Sequence, residues 1–247
     1  MYAVTLALGM IFLFTWASPD TARAEAFFDL RFGATVTHDT DATLKIGPAA
    51  GIPEISASGP LELKASPTLG FGGGYWLGSV PWLGFAVDLS LFTPNEDASG
   101  DNLKLIVFPI SGLLMLRFPL LKSTTYPRGR LQPYAGVGPG AFVTNAKIKL
   151  KKSGAPKNFA DTTVAAGLDV RAGINFHVLS ADSDPFKDGQ VGAMAVFLEY
   201  RFTHFDPPEF KEKIVGVPFK LELDQLNTHH IALGLRVHFM PPRHAYR

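Results

Sequence analysis

The stretch VAAGLDVRAGINFHV, Val164 to Val178, alternates two kinds of side chain without a break. Val164, Ala166, Leu168, Val170, Ala172, Ile174, Phe176 and Val178 fall on one face. Ala165, Gly167, Asp169, Arg171, Gly173, Asn175 and His177 fall on the other. Only a period of two sorts residues this way, so the segment is a β-strand with one hydrocarbon face and one polar face. It is also longer than the usual strand of about 5–6 residues. A long strand with charges on one side and hydrocarbon on the other suits a membrane barrel with a wet or salt-bridged interior.

Seven further segments repeat the pattern. Phe28–Thr37 sets Phe28, Leu30, Phe32, Ala34 and Val36 against Asp29, Arg31, Gly33, Thr35 and Thr37. Leu63–Trp76 is glycine-rich. Trp82–Phe92 sets Leu83, Phe85, Val87, Leu89 and Leu91 against Gly84, Ala86, Asp88 and Ser90. Leu103–Phe118 is greasier, with Arg117 as its inward charge, and Gln132–Thr144 follows. Met194–Phe202 carries Phe197, Glu199 and Arg201 on its polar side, and His230–Phe239 carries His230, Gly234, Arg236 and His238. These segments predict an all-β fold, an eight-stranded antiparallel transmembrane barrel in an up-and-down meander. An even strand count puts both termini on the periplasmic side, with the connections after His38, Thr93, Asn145 and Thr203 facing outward.

The ends agree with export. Ala3 to Trp16 is an apolar run, and Ala22-Arg23-Ala24 supplies a small-x-small site. Residues 1–24 therefore read as a signal peptide, 25–239 as the barrel and 240–247 as a short periplasmic tail. The chain has no cysteine, which excludes disulfides and thiolate sites. A net charge of +1 gives no reason to expect nucleic acid. Aromatic residues near strand ends (Phe28, Trp76, Trp82, Phe92, Phe118, Phe176, Phe202, Phe239) predict interfacial girdles. Pro109, Pro133 and Pro139 remove ladder donors and are expected at rims or bulges.

Four stretches resemble the small outer-membrane β-barrel family that includes OmpA-like and OmpX-like barrels. They are AEAFFDLRFGATV (24–36), QPYAGVGPGAF (132–142), EYRFTHF (199–205) and THHIALGLRVHF (228–239). The resemblance implies a monomer in the bacterial outer membrane, in contact with outer-membrane lipids and lipopolysaccharide. It also implies that the barrel assembly machinery reads the last strand through Gly234, Val237 and Phe239.

The inward charges Asp29, Arg31, Asp88, Arg117, Asp169, Arg171, Glu199, Arg201 and Arg236 form the main candidate constellation. Isolated charges in a narrow lumen are costly, so pairing is expected. That favours a plugged barrel with a structural or surface-interaction role over a narrow ion or small-solute channel. His204, His229 and His230 approach one another at the outer rim and could bind zinc or copper with Asp206, but His229 and His230 point to opposite faces. No metal or cofactor is therefore assigned. A lipid-modifying enzyme is the remaining alternative. His204 and Asp206 are available to it, but Ser90, Ser111 and Ser180 have no evident histidine partner, so the reading is non-enzymatic. Lys147, Lys149, Lys151, Lys152 and Lys157 form a basic outer loop, Asn95 to Asp101 an acidic one, and the residues after Asp206 a protruding hairpin.

Overall fold

The computed structural model describes residues 25–47, 53–94, 102–150, 157–180, 191–206, 208–214 and 217–239. The expected signal peptide, the acidic stretch Asn95 to Asp101, the lysines 151 and 152, and the tail lie outside these residues.

The described chain forms twelve strands: β1 (Glu25–Thr37), β2 (Thr40–Ile46), β3 (Ile55–Leu61), β4 (Ser66–Trp76), β5 (Leu83–Phe92), β6 (Asn102–Arg117), β7 (Leu131–Leu150), β8 (Lys157–Ser180), β9 (Val191–Phe205), β10 (Glu209–Ile214), β11 (Val217–Leu223) and β12 (Leu226–Phe239). Eight of them close into an antiparallel barrel in the order β1-β12-β9-β8-β7-β6-β5-β4. Each barrel strand neighbours the next one along the chain, and β12 returns to β1 to complete the wall. This is the expected up-and-down meander.

Burial follows the sequence alternation with the sense of a membrane barrel. Asp169 and Arg171 are 0% and 3% exposed, while Leu198 and Leu233 on the other face are 52% and 68% exposed. A soluble barrel would show the reverse. Closure satisfies every strand edge in the wall, which a bilayer requires because lipid offers no hydrogen bonds.

Three expectations need correction. Trp76 and Phe92 do not join an interfacial girdle, because both side chains point inward and are only 1% exposed. Phe28, Trp82, Phe118, Phe176 and Phe239 do lie on the outer surface. The prolines are not confined to rims or bulges. Pro139 pairs with Leu168 of β8 in mid-strand, and toward β6 the ladder skips from Ser111↔Gly140 to Leu114↔Val137 without changing register. Pro109 causes a similar skip toward β5, between Leu89↔Ile110 and Phe92↔Val107. A proline without an N–H is accommodated by leaving one side of its strand unpaired locally. Finally, the basic outer loop is mostly strand: β7 and β8 run in register up to Leu150↔Lys157.

The remaining strands form a second, four-stranded sheet in the order β10-β11-β2-β3, at the end of the barrel opposite its termini. The β10–β11 hairpin was expected after Asp206, but the β2–β3 hairpin that pairs with it was not. The sheet is anchored to the wall where Lys211 N donates to Asp161 Oδ2 (2.7 Å).

Candidate functional site

The lumen is filled at three levels. In the middle, strict alternation brings inward-facing residues of β1, β5, β8, β9 and β12 to one height. Arg31 forms an ion pair with Asp88 (Nη2–Oδ2 2.5 Å) and donates to Glu199 (Nη1–Oε1 3.0 Å). Arg171 reaches Asp169 (2.7 Å) and Asp88 (3.3 Å), and Arg201 reaches the same two carboxylates at 2.7 and 3.0 Å. Arg236 grips Asp29 with two parallel bonds, Nε to Oδ1 and Nη2 to Oδ2, each 2.6 Å. Bidentate guanidinium–carboxylate pairing of this kind is strong and directional. Tyr134 adds a neutral donor to Glu199 Oε2 (2.8 Å), and Arg201 donates to Ser90 Oγ (2.6 Å).

Four guanidiniums thus face four carboxylates, and the cluster is neutral. The space left beside Asp29, Arg31, Asp88, Arg171 and Arg236 is about that of one water molecule. Gly72 makes room for the network, since a Cβ there would lie 2.9 Å from Arg31 Nη2 and 3.0 Å from the Val87 carbonyl. A layer of rings lies against Arg236, whose guanidinium sits 4.5 Å from the Phe27 ring centre and 4.8 Å from that of Tyr134. Such contacts stabilise a desolvated cation.

The structure separates Arg117 from the other eight charges. It lies at the terminal end, donating to Glu25 Oε2 (2.8 Å) and the Pro81 carbonyl (2.8 Å), over the Trp76 ring. Glu25 also meets Arg128 (2.5 Å) and His238 (2.6 Å), and the His238 ring lies 5.0 Å from that of His177. Sequence reasoning missed Glu25 because the first strand was begun at Phe28. Extending the parity of Asp29 and Arg31 backwards would have found it.

At the opposite end the filling is apolar. Phe142 and Phe205 stack at 4.4 Å, surrounded by Phe92, Leu105, Val107 and Leu226. The second sheet contributes Leu61, Phe210, Leu221 and Leu223 to the same cluster. Its other face is charged. Lys45 bonds Glu222 (2.7 Å), Lys220 bridges Glu222 and Glu209, and Lys211 bonds Glu209 (3.0 Å). Hydrogen bonding from Lys220 and Lys45 pulls the Glu222 carboxyl from its usual 4.5 down to about 2. Lys211 and Lys220 lower that of Glu209 as well.

The three histidines named from the sequence do not converge. His230 is buried in the lumen, near Thr35 (2.6 Å) and Thr228 (2.8 Å). His204 pairs with Asn227 (2.7 Å), and His229 instead meets His38 and Tyr200. Among the described residues no set of three metal-ligating side chains gathers. Of the serines, Ser90 accepts from Arg201, Ser111 is buried, and Ser180 donates to the Thr125 carbonyl (2.6 Å). In the last strand, Gly234 gives way to the Phe197 ring, while Val237 and Phe239 continue the outward row.

The sequence matches the family described as outer membrane protein beta-barrel domain over residues 21–239. No curated protein matches it. Among solved structures, the outer membrane protein OprG of Pseudomonas aeruginosa is similar at a TM-score of 0.52 and 12% identity, covering 87% of this chain and 96% of that one. Neisserial surface protein A aligns at 0.45 and 16%, covering 86% and 97%. Ail of Yersinia pestis aligns at 0.37 and 13%, covering 87% and 99%.

Proposed function

The chain belongs to the outer membrane protein β-barrel domain family, and from that premise we propose a structural or surface-interaction role in the bacterial outer membrane, with a lumen that conducts nothing. The observation that carries this reading is the neutral ion network across the middle of the barrel. An ion crossing there would have to displace guanidinium–carboxylate pairs from a desolvated site, where each unpaired charge costs several kcal/mol. The ring cluster above and the Glu25 contacts below oppose entry from either mouth.

The surface part of the role rests on what stands outside the wall. Lys104 of β6 and Lys147 of β7 are directly opposite one another and exposed, just beyond the apolar band. Like charges in register repel. A phosphate of lipopolysaccharide between them relieves that repulsion, which makes lipopolysaccharide the partner we assign to this rim. The second sheet is the part that meets the cell's surroundings. Residues 1–24 serve as the export signal in this reading, so that Glu25 begins the mature chain.

Planar-bilayer recording on refolded protein tests the role. The expected record is flat across the voltage range that the bilayer tolerates. Reproducible unitary current steps, absent from a mock-refolded control, would replace this proposal with a channel.

A further inference from the structure

His38 and His229 meet on the outside of the barrel, at its distal rim, with their Nε2 atoms 2.8 Å apart. Neither residue belongs to the lumen. His38 follows the last residue of β1 and is held there by its N–H, which donates to the Asn227 carbonyl (3.0 Å). His229 lies on the outward row of β12, where it pairs in register with Val36 of β1 and Phe202 of β9. On its other ring nitrogen, Nδ1, His229 is 2.6 Å from the Tyr200 hydroxyl. The rings of Tyr200 and Phe202 flank it at 5.9 and 5.2 Å.

We propose that His38 and His229 form a two-imidazole site for a late first-row divalent cation, zinc or copper(II), bridging the seam between the first and last barrel strands. Two features of the pair support this. A metal-bound histidine needs its free nitrogen fixed by a hydrogen bond. Tyr200 supplies that bond: with Nδ1–H donating to the phenol oxygen, the Nε2 lone pair of His229 faces His38. The separation also fits, because metal–nitrogen bonds of about 2.0–2.1 Å place two cis ligands about 2.8–3.0 Å apart at a right angle, and a few tenths of an ångström further for a tetrahedral ion. Imidazole nitrogen is a favoured ligand for both metals.

No third side chain closes the sphere among the described residues, so water or lipid headgroup oxygens take the other positions. The site lies at the rim, where His38 is exposed and open to solution. An ion held there ties β1 to β12, the two strands whose pairing closes the wall. Binding to the folded state alone raises stability with metal concentration. The proposal stands on the barrel geometry and is independent of whether the lumen conducts.

The test uses untagged, refolded protein in detergent, with copper(II) or zinc as the only added probe. Copper titration followed by electron paramagnetic resonance should show one ion per chain with two imidazole nitrogens. Zinc should raise the temperature at which the compact gel form converts to the unfolded form. H38A and H229A should each abolish the copper signal and the zinc shift, whereas H204A should keep both. All three variants are checked first for compact gel mobility, which reports folding without metal. Wild-type protein that binds neither ion, or H38A and H229A variants that bind as wild type does, would overturn the assignment.

Discussion

Asp88 is the carboxylate on which the interior turns. It forms ion pairs with Arg31, Arg171 and Arg201, which come from three different strands. A buried ion pair contributes little net stability compared with a hydrocarbon replacement, but a half-removed one leaves bare charge in a desolvated site. Asp88→Ala strips a partner from three guanidiniums at once and should destabilise the barrel by about 3–5 kcal/mol. Urea unfolding followed by tryptophan fluorescence measures this, and a change within experimental scatter would contradict the account. Which residues face the lumen was legible from parity alone. Which of them touch was not, because alternation gives the face of a residue but not its height in a tilted barrel. Arg117 shows the limit: it has the same parity signal as Arg171, yet it sits at the terminal end with Glu25. His38 shows another. Nothing in its neighbourhood marks it as a partner of His229, and only closure of β1 on β12 brings the two together.

At the scale of elements, the eight wall strands were legible because lipid on one side and packed charge on the other enforce a period of two, but the pattern is blurred by glycine in 63–76 and by the apolar run in 103–118, and there it did not fix the strand bounds. The β2–β3 hairpin was not. Its second strand, ISASGPL, lacks alternation and has few apolar side chains, and its partner β11 comes from the far end of the chain. Strands of this kind form because a distant partner supplies the hydrogen bonds, and local sequence does not report that. The second sheet carries its own pH dependence. Glu222 is held down by Lys220 and Lys45, so its folded pKa is below its unfolded one. The stabilisation it gives is present above the usual carboxylate value and is lost as pH falls from there through the depressed one. An NMR titration of the Glu222 side-chain carboxyl should therefore have its midpoint well below 4.5, and Lys45→Ala with Lys220→Ala should move it back up. A midpoint at the ordinary value in the unaltered protein would show that these contacts do not persist in solution.

Across the whole molecule, the lumen is filled in layers of different chemistry: hydrocarbon at the distal mouth, a neutral ion cluster in the middle, and the contacts of Glu25 at the terminal mouth. In the proposed non-conducting barrel, these layers are redundant as barriers to ions. Phe142→Ala with Phe205→Ala removes the stacked pair at the distal mouth but leaves the ion cluster intact. That variant should still give a flat bilayer record, and unitary steps from it would locate the barrier in the rings instead. The middle layer also has a consequence in time. Asp29 of β1 and Arg236 of β12 face each other across the closing seam, so their bidentate pair forms only as the wall closes. The seam that joins the two ends of the chain is therefore also the one that completes the buried ion cluster.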